Sequence, residues 1–368
     1  MFSKKLIPIA LLIWGSLLLV ACGPAQAGQA EAEPGDEDHA GQVQNAAAMD
    51  LVPIELAAGE KLQMVATTNI IGDMVQNVAG DLIELNILMP LGSDPHTFQP
   101  APQDIALVAD ADVVFANGLD YEAFLDELIT NAGGDAVVVR VTNGVETREF
   151  GEGGQEHDGN DHGHDEAATE HHEEAEEHQE PSDDHEQAHH VHSGADPHAW
   201  MTPHNALVYV HNIEAALSAL DPAQAETYQA QAEAYEAQLE ALDQWVFEQI
   251  ETIPPENREL VTDHEGFGYY ADRYGLNIVG AVIPSYSTAA EPSAQEMADL
   301  EKAISVFNAP AIFVNSTVNL DLAERVAGDT GTKLVPLYTE SLGPASSGAE
   351  TYLDSIRYNT TAIVDALK

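Results

Sequence analysis

The sequence predicts an α/β protein of two lobes, each a mostly parallel sheet flanked by helices, with one long rigid helix joining them. Three observations lead there. Strand-like apolar runs alternate with runs of helical period over residues 60–150 and again over 258–368, the pattern of strand–helix units that cover a parallel sheet. Between these stretches the helical period is unbroken from Pro222 to Ile253. The triplet Asp-Pro-His occurs twice, at Asp94-Pro95-His96 and Asp196-Pro197-His198, each closing a connection into a helix. In both copies the proline fixes φ and removes a donor, and the aspartate before it is pushed out of the α region. Each histidine therefore sits on a stiff turn, with an aromatic residue, Phe98 or Trp200, expected to pack beneath it.

The elements follow in order. Leu62 to Ala66 reads as a buried strand. Thr67-Thr68-Asn69 can cap a helix in which Ile70, Ile71, Met74, Val75 and Val78 recur at helical spacing. Ile83 to Leu88 is a strand, Pro102 to Ala109 a helix, Val113 to Phe115 a strand, Tyr121 to Thr130 a helix and Val137 to Val141 a strand. After Pro203, the residues Leu207, Val210, Ile213, Leu217 and Leu220 form one stripe. Asp221-Pro222 then supplies an N-cap and an N1 proline for the long helix, about 45 Å at 1.5 Å per residue. The second half gives strands at Glu259–Thr262, Asn277–Val282, Ala311–Val314 and Lys333–Val335. Its helices are expected over 267–274, 291–306, 320–328 and 352–367, and His264 is expected in the loop after the first of those strands.

The 368 residues carry 63 Asp and Glu against 12 Lys and Arg, a formal net charge of −51. Nucleic-acid binding is excluded, because it needs Lys and Arg to displace counterions. Such a charge raises the local concentration of cations. Residues 151–195 hold ten histidines and fifteen acids with no Lys or Arg. A run of that composition cannot bury enough apolar surface to offset its ordering entropy and is read as a disordered insertion. Its His157, His162, His164, His171, His172, His178, His185, His189, His190 and His192 are candidate accessory metal sites, expected to hold zinc weakly and lose it near about pH 5, where imidazoles protonate. The bland alternative is a solvated acidic linker. His185-Glu186-Gln187-Ala188-His189 matches the H-E-x-x-H protease pattern, but that pattern needs a packed helix, and here chance explains it. His39, His204 and His211 are left as structural or surface residues.

Residues 1–21 read as an export signal: Lys4 and Lys5 precede an apolar run from Leu6 to Val20. Leu19-Val20-Ala21-Cys22 resembles the bacterial lipobox, which makes Cys22 the lipid attachment site of an anchored, extracytoplasmic protein. It is the sole cysteine, so no intramolecular disulfide and no cysteine zinc site can form. The expected organisation is a disordered tether over 22–59, an N-terminal lobe over 60–204 containing the insertion, a helical region over 205–257 with the linker helix at 222–253, and a C-terminal lobe over 258–368.

His96, His198 and His264 share one context, at the C-terminal end of a strand or just before a helix, where ligands bind in open α/β sheets. Glu340 follows the last strand in the same way. Three imidazoles and one carboxylate would complete tetrahedral zinc, whereas manganese favours more oxygen ligands. Here the chain resembles the metal-binding solute-binding proteins of bacterial ABC importers, in their zinc-binding, ZnuA-like branch. The resemblance rests on Gly92-Ser93-Asp94-Pro95-His96-Thr97-Phe98-Gln99-Pro100, Asn117-Gly118-Leu119-Asp120, Asp196-Pro197-His198-Ala199-Trp200, Asp263-His264-Glu265-Gly266-Phe267-Gly268-Tyr269-Tyr270 and Tyr338-Thr339-Glu340-Ser341-Leu342. It implies the metal-type periplasmic binding protein fold, with Zn2+ between the lobes. His96 and His198 would come from the first lobe, His264 and Glu340 from the second. His264 stands where manganese-type members have Glu. Glu340 replaces the usual Asp, which leaves Glu265 or a water as alternative fourth ligand. The function implied is a monomeric receptor, not an enzyme, that hands zinc to an importer permease with its ATPase. A manganese or iron receptor of the same family, and a surface zinc-storing or adhesin lipoprotein, are the alternatives.

Overall fold

The structure, a computed structural model, describes residues 51–148 and 194–368. Cys22, the export signal, most of the tether and the histidine-rich run therefore lie outside the described residues. The first sheet contains β1 (Leu62–Ala66), β2 (Ile83–Ile87), β3 (Val113–Ala116) and β4 (Val137–Arg140), in the order β2-β1-β3-β4. The second repeats that order with β5 (Glu259–His264), β6 (Asn277–Ile283), β7 (Ala311–Asn315) and β8 (Lys333–Leu337), as β6-β5-β7-β8. Every pairing in both sheets is parallel. β3 and β7 are buried along their whole length, as parallel strands covered on both faces must be.

Helices α1 (Asn69–Ala79), α2 (Pro102–Ala109) and α3 (Leu125–Ala132) belong to the first lobe. Helices α6 (Gly268–Tyr274), α7 (Ala294–Phe307) and α8 (Asp321–Thr330) belong to the second, followed by the C-terminal α9 (Tyr352–Leu367). Local chemistry sets their starts. Thr68 accepts from Ile71 N at the head of α1, and Ser293 and Glu296 form a reciprocal capping box at α7. α3 begins four residues later than expected, at Leu125 rather than Tyr121. The chain from Gly118 to Asp120 runs at positive φ, and Glu122 turns inward to accept from Asn117 N and Gly118 N, which keeps this stretch in a turn.

Between the lobes run α4 (Pro203–Leu220) and α5 (Ala225–Ile250). Asp221 does not cap α5. It closes α4, and its carbonyl accepts from Gln224 N in an intervening turn, so α5 starts at Ala225 and stops at Ile250. Its 26 residues span about 39 Å. One stripe of α5 (Tyr228, Ala232, Tyr235, Leu239, Leu242, Val246 and Ile250) is buried, and the helix packs on α1, α4, α9 and α6. A single apolar core runs from β1 and α1 through α4 and α5 to α9. Smaller clusters fill the outer layer of each lobe.

Both sheets reverse their strand order next to their first strand, which opens a crevice at the C-terminal strand ends. The two crevices face each other. Hydrogen bonds cross the seam from Leu342 N to Asn69 Oδ1 (2.7 Å), from Thr288 Oγ1 to Asp94 Oδ2 (2.6 Å) and from Trp200 Nε1 to Thr339 O (2.7 Å).

Candidate metal centre

His96, His198, His264 and Glu340 meet at this seam. Their ligand atoms all lie within 4.8 Å of one another, the spacing of a group that could hold a metal ion. Glu340 Oε1 is 2.9 Å from His96 Nε2, 3.0 Å from His264 Nε2 and 3.6 Å from His198 Nε2. The Nε2 atoms of His198 and His264 are 3.3 Å apart. His96 is 7% exposed, and the other three are at 1% or below.

The two Asp-Pro-His triplets share one side-chain-to-backbone contact. Asp94 Oδ1 accepts from His96 N, and Asp196 Oδ1 accepts from His198 N, each at 3.0 Å. This is an Asx turn, which fixes the histidine two residues on. They differ in the second contact. Asp196 Oδ1 also lies 2.8 Å from His198 Nδ1, whereas Asp94 Oδ2 accepts from Thr288 across the seam. Trp200 packs 5.3 Å from His198. Phe98 does not pack under His96: it is half-buried against Phe124, at 5.1 Å, and the ring beside His96 is Tyr121, also at 5.1 Å.

His264 is the last residue of β5, not a loop residue. Asp263 Oδ1 accepts from His264 N at 2.9 Å and lies 3.1 Å from its Nδ1, while Asp263 Oδ2 accepts from Asn315 N at 2.8 Å. Carboxylates on Nδ1 of both His198 and His264 hold a proton there and aim the Nε2 lone pairs into the seam. Asn315 Nδ2 donates to Glu340 Oε2 at 2.7 Å, leaving Oε1 toward the imidazoles. Glu265 is not among the four converging residues.

Burial would raise the Glu340 carboxyl, but His264, His198 and His96 hold it well below the usual range. Burial would likewise lower both imidazoles. Asp263 and Glu340 instead push His264 well above its ordinary value, and Asp196 and Glu340 raise His198. Both shifts favour the proton-bound imidazole, so a cation entering the cluster competes with protons at His198 and His264.

Several supporting residues carry no motif of their own. Asn117 donates to Pro197 O and accepts from Tyr209 OH, so it sets the height of the His198 loop. Asn315 and Thr288 act from sequence-distant strands and loops, and only the Asp adjoining each triplet or strand end could have been found from local spacing. His204 is exposed at the start of α4 and His211 is half-buried within it. Among the described residues no helix is long and apolar enough to cross a membrane.

Two parallel α/β lobes on one long helix, with a nitrogen-rich cluster at their seam, define a metal-binding solute receptor. A family model described as "Zinc-uptake complex component A periplasmic" matches residues 64–366, and the chain belongs to that family. It is 32% identical over 311 residues to the manganese-binding lipoprotein MntA of Halalkalibacterium halodurans, covering 84% of this chain and 89% of that protein. Its fold matches the periplasmic zinc binding protein TroA of Treponema pallidum with a TM-score of 0.67 at 25% identity, over 84% of this chain and 99% of TroA. It also matches a manganese-bound periplasmic metal binding protein from Candidatus Liberibacter asiaticus with a TM-score of 0.66 at 27% identity, over 84% of this chain and 100% of that one. The family resemblance and two-lobe fold expected from the motifs are both confirmed.

Proposed function

We propose that this protein captures Zn2+ between its lobes through His96, His198, His264 and Glu340, and delivers it to the permease and ATPase of an ABC importer. The observation that carries this reading is the convergence of three Nε2 atoms and Glu340 Oε1 within 4.8 Å. Three nitrogens and one oxygen suit tetrahedral zinc at about 2.0–2.2 Å. Four protein ligands leave no open position for the activated water of a zinc hydrolase. In this reading Cys22 carries the lipid that holds the monomeric receptor at the outer face of the membrane. The ten histidines from His157 to His192 collect zinc weakly and feed the tighter site.

Manganese is the second reading, favoured by the names of the relatives, MntA and the manganese-bound neighbour. His264 and the shortage of oxygen donors weigh against it. The test is a competitive titration of zinc against manganese with residues 151–193 deleted. The ends are close enough to join, since Asp196 N donates to Arg148 O at 2.8 Å. One tight zinc equivalent, lost in His198→Ala and barely displaced by manganese, supports the zinc reading. Preferential manganese binding moves the protein to the other branch.

A further inference from the structure

We propose that Arg148 is a positioning residue that slows metal release, by tying the carboxylate that orients His198 to the opposite lobe. The proposal rests on the metal-site reading above. Cations are scarce here, 12 against 63 acids, yet this one is held at the seam with its side chain 14% exposed. Its Nη1 lies 3.3 Å from Asp196 Oδ2, and its Nε donates to Asp272 Oδ2 at 2.6 Å. Arg148 and Asp196 belong to the first lobe, and Asp272 sits on α6 of the second. Among the described Lys and Arg ion pairs, this is the one that joins the two lobes directly.

Asp196 divides its two oxygens. Oδ1 serves His198 N and Nδ1, and Oδ2 serves Arg148. The carboxylate is fully buried, and a buried charge needs a partner. Without the guanidinium, Asp196 has reason to turn toward solvent, and His198 loses the acceptor that fixes its Nε2. The half-exposed Asp272 arm contributes registry across the seam more than energy.

α6 is shaped for this contact. A Cβ on Gly268 would stand 1.7 Å from Arg148 Nη1, 2.5 Å from its Cζ and 2.7 Å from Asp196 Oδ2. The next residue, Tyr269, accepts from Arg148 N at 3.2 Å and donates to Asp196 O at 2.9 Å. The first turn of α6 therefore grips both the backbone and the side chains of this pair. Opening the seam must break the contacts of Asp272 and Tyr269 on α6 with this pair, so Arg148 acts on escape rather than on capture.

The experiment is stopped-flow metal association and chelator-challenged release on the full chain, with zinc alone and with manganese alone. Wild type, Arg148→Gln, Arg148→Lys, Gly268→Ala and Asp272→Asn are compared. Arg148→Gln and Gly268→Ala are expected to release metal at least tenfold faster with association within twofold of wild type. Arg148→Lys, a point charge that reaches one carboxylate, is expected to fall between. A loss of fold stability alone would not separate the two rates or rank the lysine variant. Should Arg148→Gln fail to fold, Gly268→Ala and Asp272→Asn carry the test. Wild-type release rates in these variants overturn the proposal while leaving the metal site intact. A wild-type chain with no tight equivalent overturns both.

Discussion

His96 Nε2 and Glu340 Oε1 lie 2.9 Å apart across the seam, although 244 residues separate them in the chain. One comes from the loop after β2 and the other from the loop after β8, so their contact exists only when both lobes are folded and closed. Among the described residues Glu340 is the one carboxylate that converges with all three imidazoles. Glu340→Gln keeps the shape and removes the charge. Its metal affinity is expected to fall by at least about 100-fold, above the loss typical of outer-shell partners. A chelator-competition titration measures this, and an affinity within threefold of wild type would move the fourth ligand elsewhere.

Asp196 and Asp263 hold Nδ1 of His198 and His264. Asp196→Asn and Asp263→Asn are each expected to weaken metal binding by about 10–100-fold, because the amide can present the wrong group to Nδ1 and free the ring to turn. The stoichiometry should stay at one tight equivalent. The same titration checks both values.

Tyr209 is fully buried, and its hydroxyl donates to Asn117 Oδ1 at 2.6 Å. Tyr209→Phe strands that oxygen and is expected to lower stability by about 1–3 kcal/mol, the cost of an unsatisfied buried polar atom. Urea unfolding of the metal-free protein reads it directly. Because Asn117 also donates to Pro197 O, a smaller fall in metal affinity should accompany the loss.

Asp73 on α1 accepts from Tyr352 N of α9 at 3.1 Å, with Tyr235 of α5 beside it. Burial pushes its carboxyl up from 3.8 to about 6, more than these two donors pull it down. A carboxyl raised on folding binds its proton more tightly in the folded state. Its contribution to stability is therefore full below about pH 4 and is lost as pH rises through about 6. Asp73→Asn keeps the acceptor for Tyr352 N and removes the charge. Relative to wild type it should gain about 2 kcal/mol between pH 4 and pH 7.5. Unfolding of both metal-free proteins at the two pH values gives the difference, and parallel pH profiles would contradict it.

Much of the fold was legible because its signals are local. α2 and α9 run over the residues their apolar spacing and N-terminal signals indicate, Pro102–Ala109 and Tyr352–Leu367. The site was legible for a related reason: Asp-Pro-His encodes its own Asx turn, so both copies announce a fixed imidazole. The failures are tertiary. Glu122 falls inside the helix expected over Tyr121 to Thr130, yet it is buried and accepts from Thr67 Oγ1 at 2.6 Å as well as from Asn117 N and Gly118 N, and that delays α3. Phe98 sits two residues after its histidine, as Trp200 does, but the apolar cluster around Phe124 claims it. Arg148 and Asn315 have no sequence signal, since their partners lie on distant elements.

The most direct measurement is anomalous diffraction at the zinc edge from crystals of the full chain grown with one equivalent of zinc. The expected result is a single strong peak at the seam, about 2.0–2.2 Å from Nε2 of His96, His198 and His264 and from a Glu340 carboxylate oxygen. A seam without a peak, or a peak held by other residues, would contradict the assignment of this cluster as the site that carries zinc.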